Sequence, residues 1–422
     1  MRISRTSAPS PKKLIREVRN SRNFLLVLDT ATTAATNAGV LILGARTLSA
    51  TELSDFSLLL LVLTSSVAFQ RAAFLAPGFA SQRGGGRAGV PLRWLLFLSA
   101  PIAVVSAVLI IFTYRVPSLE LYWILVVLAA ALPTVANDVL RSHLIGNSSP
   151  VHALVADTAI ALIALFGFLA LGERASVQEL VFIYSLAAWA GLAIMLCVAG
   201  FNRTYLRFPP MSLRRTWRLG KWAGLDNLMS ASANLVPMMA ATLVLGYDFA
   251  GTYRVLQAAL GPLNILSNAI LTSFGLDAWQ LRSRIDLLKL SSRVRSLSLR
   301  LIAFTCLYLV AGEMAILWIS NLQGEDVLRI AIIVGVAGLM SSACIAPQAG
   351  ALALGYQKSG AIIRVFVLGF ALIVTFGSIG GGFLPWGDPI AAVALFAGTA
   401  NLLGWTVAYR RAQKLERALL PE

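Results

Sequence analysis

Apolar runs of about twenty residues recur from one end of the chain to the other, separated by short polar or basic segments. A run of that length, coiled as a helix, crosses a bilayer core of roughly 30 Å. Helix is the natural form for such runs, because in lipid each backbone polar group must be satisfied inside its own segment. Twelve spans are predicted, at about 24–45, 55–76, 94–113, 120–140, 150–172, 179–201, 222–245, 250–275, 299–319, 326–350, 360–382 and 388–409. The reading is an all-α polytopic membrane protein. Its expected parts are a basic N-terminus (1–23), a six-helix bundle (24–201), a basic linker (202–221), a second six-helix bundle (222–409) and a tail (410–422).

The polar positions inside those runs repeat. Asp29-Thr-Ala-Thr-Thr-Ala-Ala-Thr-Asn37 and Asp226-Asn-Leu-Met-Ser-Ala-Ser-Ala-Asn234 set the same two residues at the same spacing, 197 residues apart. Six spans per half make both halves begin on the same side. The repeat is therefore parallel, a pseudo-two-fold along the membrane normal. Leu53-Ser-Asp-Phe56 opens the second span as Gly246-Tyr-Asp-Phe249 opens the eighth. Pro209-Pro210 breaks the linker, and Ser212 can cap a short helix carrying Leu213 and Trp217. Such a helix on the membrane surface and a solvated linker are both open readings. Leu281, Ile285 and Leu288 recur at helical spacing, so the segment before 299 is expected to extend a helix beyond the membrane. Pro133, Pro237, Pro262 and Pro347 fall inside spans, where they permit bending.

Composition agrees: 58% of residues are hydrophobic and 13% charged. The net charge of +16 raises the question of nucleic acid, and its distribution answers it. With the N-terminus in the cytoplasm, 29 of 35 Lys and Arg fall on inner segments, counting Arg141 and Arg364. Only Arg46, Arg115, Arg174 and Arg329 fall on outer loops. That asymmetry is the positive-inside pattern. Both termini are expected in the cytoplasm, with anionic lipid headgroups rather than nucleic acid as the surface partner. Cys197, Cys306 and Cys344 lie on three spans without metal-ligand spacing.

Charges inside spans are costly and mark candidate pathways. Arg71 and Arg254, with neighbouring Gln70 and Gln257, form the expected substrate-binding set, because a planar guanidinium suits phosphate oxygens. Arg71 reaching inner headgroups and Arg254 pairing with Asp248 are the simpler alternatives. Asp29 and Asp226 are expected to face the cavity, where they can carry a proton or sodium ion or equally be structural, capping or pairing within each half, with Asn37 and Asn234 bonding neighbouring helices. Asp157 can join an ion path or pair with Arg141. Asp138 and Glu313 lie near predicted span ends and read as solvated. There is no GxxxxGK[ST], HExxH or GxSxG motif, so neither ATP-driven pumping nor hydrolysis is expected, and no cofactor or metal.

Asn37-Ala-Gly-Val-Leu-Ile-Leu-Gly-Ala-Arg-Thr-Leu48, Arg71-Ala-Ala-Phe-Leu-Ala-Pro77 and Gly251-Thr-Tyr-Arg-Val-Leu-Gln-Ala-Ala-Leu-Gly-Pro-Leu-Asn264 resemble bacterial polysaccharide flippases of the multidrug/oligosaccharidyl-lipid/polysaccharide exporter superfamily. The resemblance implies a central cleft lined by the first, second, seventh and eighth helices. It also implies a monomer in the bacterial cell membrane that moves a polyprenyl-pyrophosphate-linked oligosaccharide outward by alternating access. Glycosyltransferases and a polysaccharide polymerase would then be its partners. An ion-coupled drug or metabolite exporter of the same superfamily is the nearest alternative, expected to have a mainly acidic cavity. A polytopic polysaccharide polymerase or ligase, which would need a larger outer loop, and an assembly scaffold are the others.

Overall fold

The computed structural model describes residues 22–75, 92–113, 121–146, 150–172, 175–199, 220–229, 249–258, 284–320, 324–354, 357–381 and 389–419, with scattered positions between 214 and 263. Among the described residues there is no strand. The first half holds α1 (Arg22–Thr47), α2 (Ala50–Gln70), α3 (Leu92–Thr113), α4 (Leu121–Gly146), α5 (Pro150–Leu171) and α6 (Val177–Ala199). A π turn, Arg71–Leu75, continues α2. The second half holds α7 (220–229), α8 (Phe249–Ala258), α9 (Arg284–Ser320), α10 (Glu325–Ala353), α11 (Gln357–Gly381) and α12 (Pro389–Leu419). Each of the twelve falls on a predicted apolar run. Asn234, Asp248, Pro237, Pro262 and most of the 202–221 linker lie outside the described residues.

Local chemistry sets the helix starts. At the head of α2 the Glu52 N–H donates to Ser49 Oγ at 3.3 Å, while the Ser49 N–H donates to Glu52 Oε2 at 3.0 Å. Ser176 and Glu179 repeat this reciprocal cap at the head of α6. The exchange satisfies N–H groups that a helix start leaves without partners. Pro101, Pro133 and Pro347 lie within α3, α4 and α10.

Six helices among the described residues are long and apolar enough to cross a membrane: Ala50–Phe74, Leu125–Ser142, Val151–Leu171, Val177–Val198, Leu288–Gly312 and Glu325–Ala351. Their outward faces carry Phe166, Leu169, Phe182, Leu307, Val310 and Ile332, all exposed. An apolar surface of that extent is stable against lipid and not against water. The chain is an all-helical polytopic membrane protein. Two helices run past the apolar windows. α9 begins at Arg284, as the helical spacing there predicts, and α12 continues through the expected tail to Leu419. Leu290 and Val294 on the extension of α9 share a buried cluster with Ala408 and Tyr409 at the end of the predicted span in α12, so α12 supports that extension.

In the first half, α4 packs on α3 and α6, α5 on α6, and α1 on α5; in the second, α10 packs on α9 and α12, and α11 on α12. The halves meet chiefly where α8 lies along α2. There the Gly251 N–H donates to Ser54 Oγ at 2.9 Å. A Cβ on Gly251 would stand 2.8 Å from the Leu53 carbonyl carbon and the Ser54 nitrogen, so the helices can touch only because the side chain is absent. Ser54 and Gly251 are 197 residues apart, the spacing that relates Asp29 to Asp226. Repeat-equivalent positions that touch each other lie beside the pseudo-two-fold axis. Near the other end of α2, Gly224 on α7 approaches Ala73, where a Cβ would be 2.8 Å from that alanine's own. Phe74 stacks on Trp217 beside this contact, with ring centroids 5.8 Å apart. The second half therefore grips α2 near both of its ends.

Candidate functional site

Between these two contacts lies a cavity of about 500 Å³. Its wall is built mostly from α1, α2, α4, α5 and α6, and α8 closes it with Arg254 and Gln257. Polar groups reach it in helical register. Thr33 and Asn37 lie one turn apart on α1, and Asp138 and Arg141 lie three residues apart on α4. Asp157 of α5 and Arg71, first residue of the π turn, complete the charged wall. π turns concentrate at functional positions.

Arg141 is the hub. Its Nε lies 2.8 Å from Asp157 Oδ2 and 2.9 Å from Asp29 Oδ2. Its Nη1 is 3.9 Å from Asp138 Oδ1. Thr33 Oγ1 donates to Asp157 Oδ2 at 2.9 Å. Asp138 in turn accepts from Arg71 Nε at 3.3 Å, with a second, shorter contact from Arg71 Nη2. Asp29 is fully buried, and its Oδ1 has no hydrogen-bond partner among the described residues. Three carboxylates thus face two guanidinium groups, leaving one negative charge over.

Sequence expectations meet this geometry unevenly. Asp29 belongs to the cluster but sits behind the cavity wall, shielded by Arg141, rather than facing the cavity. Asp157 does both things expected of it, lining the cavity and pairing with Arg141. Asn37, Gln257, Arg71 and Arg254 line the cavity. Gln70 does not; it is buried and donates to Ser99 Oγ on α3 at 3.1 Å. Asp138 corrects the solvated reading, because α4 continues to Gly146 and buries it. Arg141 and Arg364, counted as inner-segment cations, lie within helices and hold aspartates. The available clue was the Asp138–Arg141 spacing of three on one helix, which a hydropathy window hides by ending the span at its first charges.

The second half is simpler. Asp226 accepts from Arg364 Nε of α11 at 3.0 Å, and that guanidinium lies 6.0 Å from the ring of buried Trp405. This pair is neutral and lies outside the cavity wall. Asn234, its expected neighbour, and Asp248, the expected partner of Arg254, fall outside the described residues. Among the described residues Arg254 bonds no carboxylate; its Nη1 donates to Gln257 Oε1, and its buried Nε has no partner. The cavity wall carries Arg71, Arg141 and Arg254 against Asp138 and Asp157, so it is neither mainly acidic nor uniformly basic.

No protein-family model matches the sequence, and no curated protein matches it. Solved structures do resemble it. An outward-facing multidrug resistance MATE family transporter of the MOP superfamily superposes with a TM-score of 0.66 at 15% identity, covering 97% of both chains. An inward-facing conformation of such a transporter gives 0.64 at 15% identity, covering 92% of this chain and 95% of that one. A MATE structure in the bent conformation gives 0.63 at 16% identity over 97% and 96%. These neighbours are transporters, not enzymes. The chain has the fold of MATE family transporters of the MOP superfamily.

Proposed function

We propose that this protein is a proton-coupled exporter of small organic amphiphiles, working by alternating access in a bacterial cell membrane. The observation that carries the reading is the cluster of three buried carboxylates with the buried Arg141 and the half-exposed Arg71, opening on a cavity in the first half that α8 borders. One uncompensated negative charge in a water-poor site is a load that a proton can neutralise and release. A proton fits better than sodium, because the Arg141 guanidinium already lies between Asp29 and Asp157 and a metal ion would have to displace it. A cavity of about 500 Å³ matches the ordinary size of small-molecule sites. The fold is shared with multidrug transporters seen facing inward and outward, and the distribution of Lys and Arg supports a cytoplasmic position for both termini.

One observation favours a second reading. Arg254 faces the cavity bonded only to Gln257 among the described residues, and an arginine so placed suits a phosphate. On that reading the substrate is the polyprenyl-pyrophosphate-linked oligosaccharide, supplied by glycosyltransferases and consumed by a polymerase. Purified protein in proteoliposomes distinguishes the two. Uptake of a fluorescent cationic amphiphile driven by a pH gradient, abolished in Asp157→Asn, is the expected result. Leaflet exchange of a fluorescent lipid-linked oligosaccharide without dye uptake would transfer the assignment to the second reading. Rates equal to empty liposomes for both would end both.

A further inference from the structure

We propose that Arg71 is a removable counter-charge: it keeps Asp138 ionised while α2 and α4 are joined, and a proton takes its place when they part. The inference rests on the proton-coupled reading and identifies the residue through which helix movement would reach the proton site.

The two partners are unequally placed. The Asp138 side chain is 5% exposed and that of Arg71 is 47% exposed. Arg71 can therefore withdraw into water or headgroups at small desolvation cost, while Asp138 cannot follow. Arg141 is a poor substitute partner, because it stands 3.9 Å away and already serves Asp29 and Asp157. Once Arg71 leaves, three carboxylates share one guanidinium and two negative charges are uncompensated. Like charges in a poorly hydrated site cannot all stay ionised. One carboxylate oxygen then takes a proton from hydronium in the cavity, releasing water. When Arg71 returns, the proton passes back to water.

Groups from each neighbouring element face Asp138 or its partners: Asp29 and Thr33 from α1, Arg71 from α2, Arg141 on its own helix, Asp157 from α5, and Tyr184 from α6 on the same cavity wall. Arg254 of α8 faces them across the cavity. From α3, Ser99 is engaged with Gln70. Arg71 is thus the close cation that is not also holding Asp29 or Asp157. Its position supplies the mechanical link. It opens the π turn, two residues before Ala73, which touches Gly224 of the second half. Displacing α7 from that contact moves the segment that carries Arg71.

The test is equilibrium proton uptake by the detergent-purified full chain between about pH 5 and 8, paired with the pH dependence of dye uptake in proteoliposomes. Arg71→Gln should bind about one more proton than wild type over that range, and its transport midpoint should rise by about one pH unit or more. Arg71→Lys, which keeps the charge, should stay close to wild type. Arg71→Gln/Asp138→Asn removes the pair together, again leaving one carboxylate over in Asp29, Asp157 and Arg141, and should return proton uptake to wild type while gradient-driven dye uptake stays impaired, because the movable pair is gone. If Arg71→Gln yields little folded protein, restored yield in the double variant supports the same conclusion. Misfolding that Asp138→Asn does not repair overturns it. Unchanged proton uptake in Arg71→Gln, or a rise in KM with an unmoved midpoint, also overturns it and makes Arg71 a substrate ligand or a structural residue. Extra proton uptake reversed by the double variant, with wild-type transport indifferent to the gradient, would uphold the counter-charge and end the coupled-export reading.

Discussion

Arg141 lies between Asp29 on α1 and Asp157 on α5, and its own helix supplies Asp138 three residues earlier. Replacing it with glutamine would leave buried carboxylates facing one another, a situation that costs about 3–5 kcal/mol when one partner of a buried pair is lost. Arg141→Gln is therefore expected to lower the thermal midpoint in detergent markedly, and Asp157→Asn to relieve part of that loss in the double variant. Asp226 makes a contrast. It shares the repeat spacing with Asp29 but forms a neutral pair with Arg364, so Asp226→Asn should reduce stability while transport keeps its pH dependence. Equal loss of pH dependence in Asp226→Asn and Asp157→Asn would remove this distinction. The residue types were legible in the sequence, where the Asp157–Arg141 pairing stood only as one of two alternatives. The asymmetry between the halves was not, because Asp29 and Asp226 look alike until their partners are seen.

Among the elements, α2 and α8 matter most, since their contact joins the two halves. Gly251 has no room for a side chain against Leu53 and Ser54, and overpacking such a contact costs about 1–3 kcal/mol. Gly251→Val should therefore shift the protein toward an arrangement open at that end. A thiol introduced as Thr64→Cys, on the cavity wall, would report it in a background without Cys197, Cys306 and Cys344. A membrane-impermeant maleimide added outside should label it several times faster in the Gly251→Val protein. Equal labelling would show that the contact does not hold the cavity shut. The sequence marked Gly251 only as part of a loose motif. That it meets its repeat-equivalent Ser54 follows from how the bundles pack, which composition along one helix does not reveal.

At the scale of the whole molecule, the first-half helices α1, α2, α4, α5 and α6 and the second-half helix α8 line a cavity into which charges of both signs converge. Arg254→Gln separates the two proposed cargos. For an anionic amphiphile it should raise KM about tenfold or more, the loss of one hydrogen bond to a charged group. For a cationic one KM should be unchanged or lower, and the ratio of the two KM values is the measurement. That the chain is a succession of apolar helices was readable from local apolarity, because each residue's transfer from water to lipid depends little on its distant neighbours. The extension of α9 was likewise readable from helical spacing. Which guanidinium holds which carboxylate was decided only by the tertiary structure. Arg141 and Asp29 are 112 residues apart, and a pair that distant is chosen by which helix faces packing brings together.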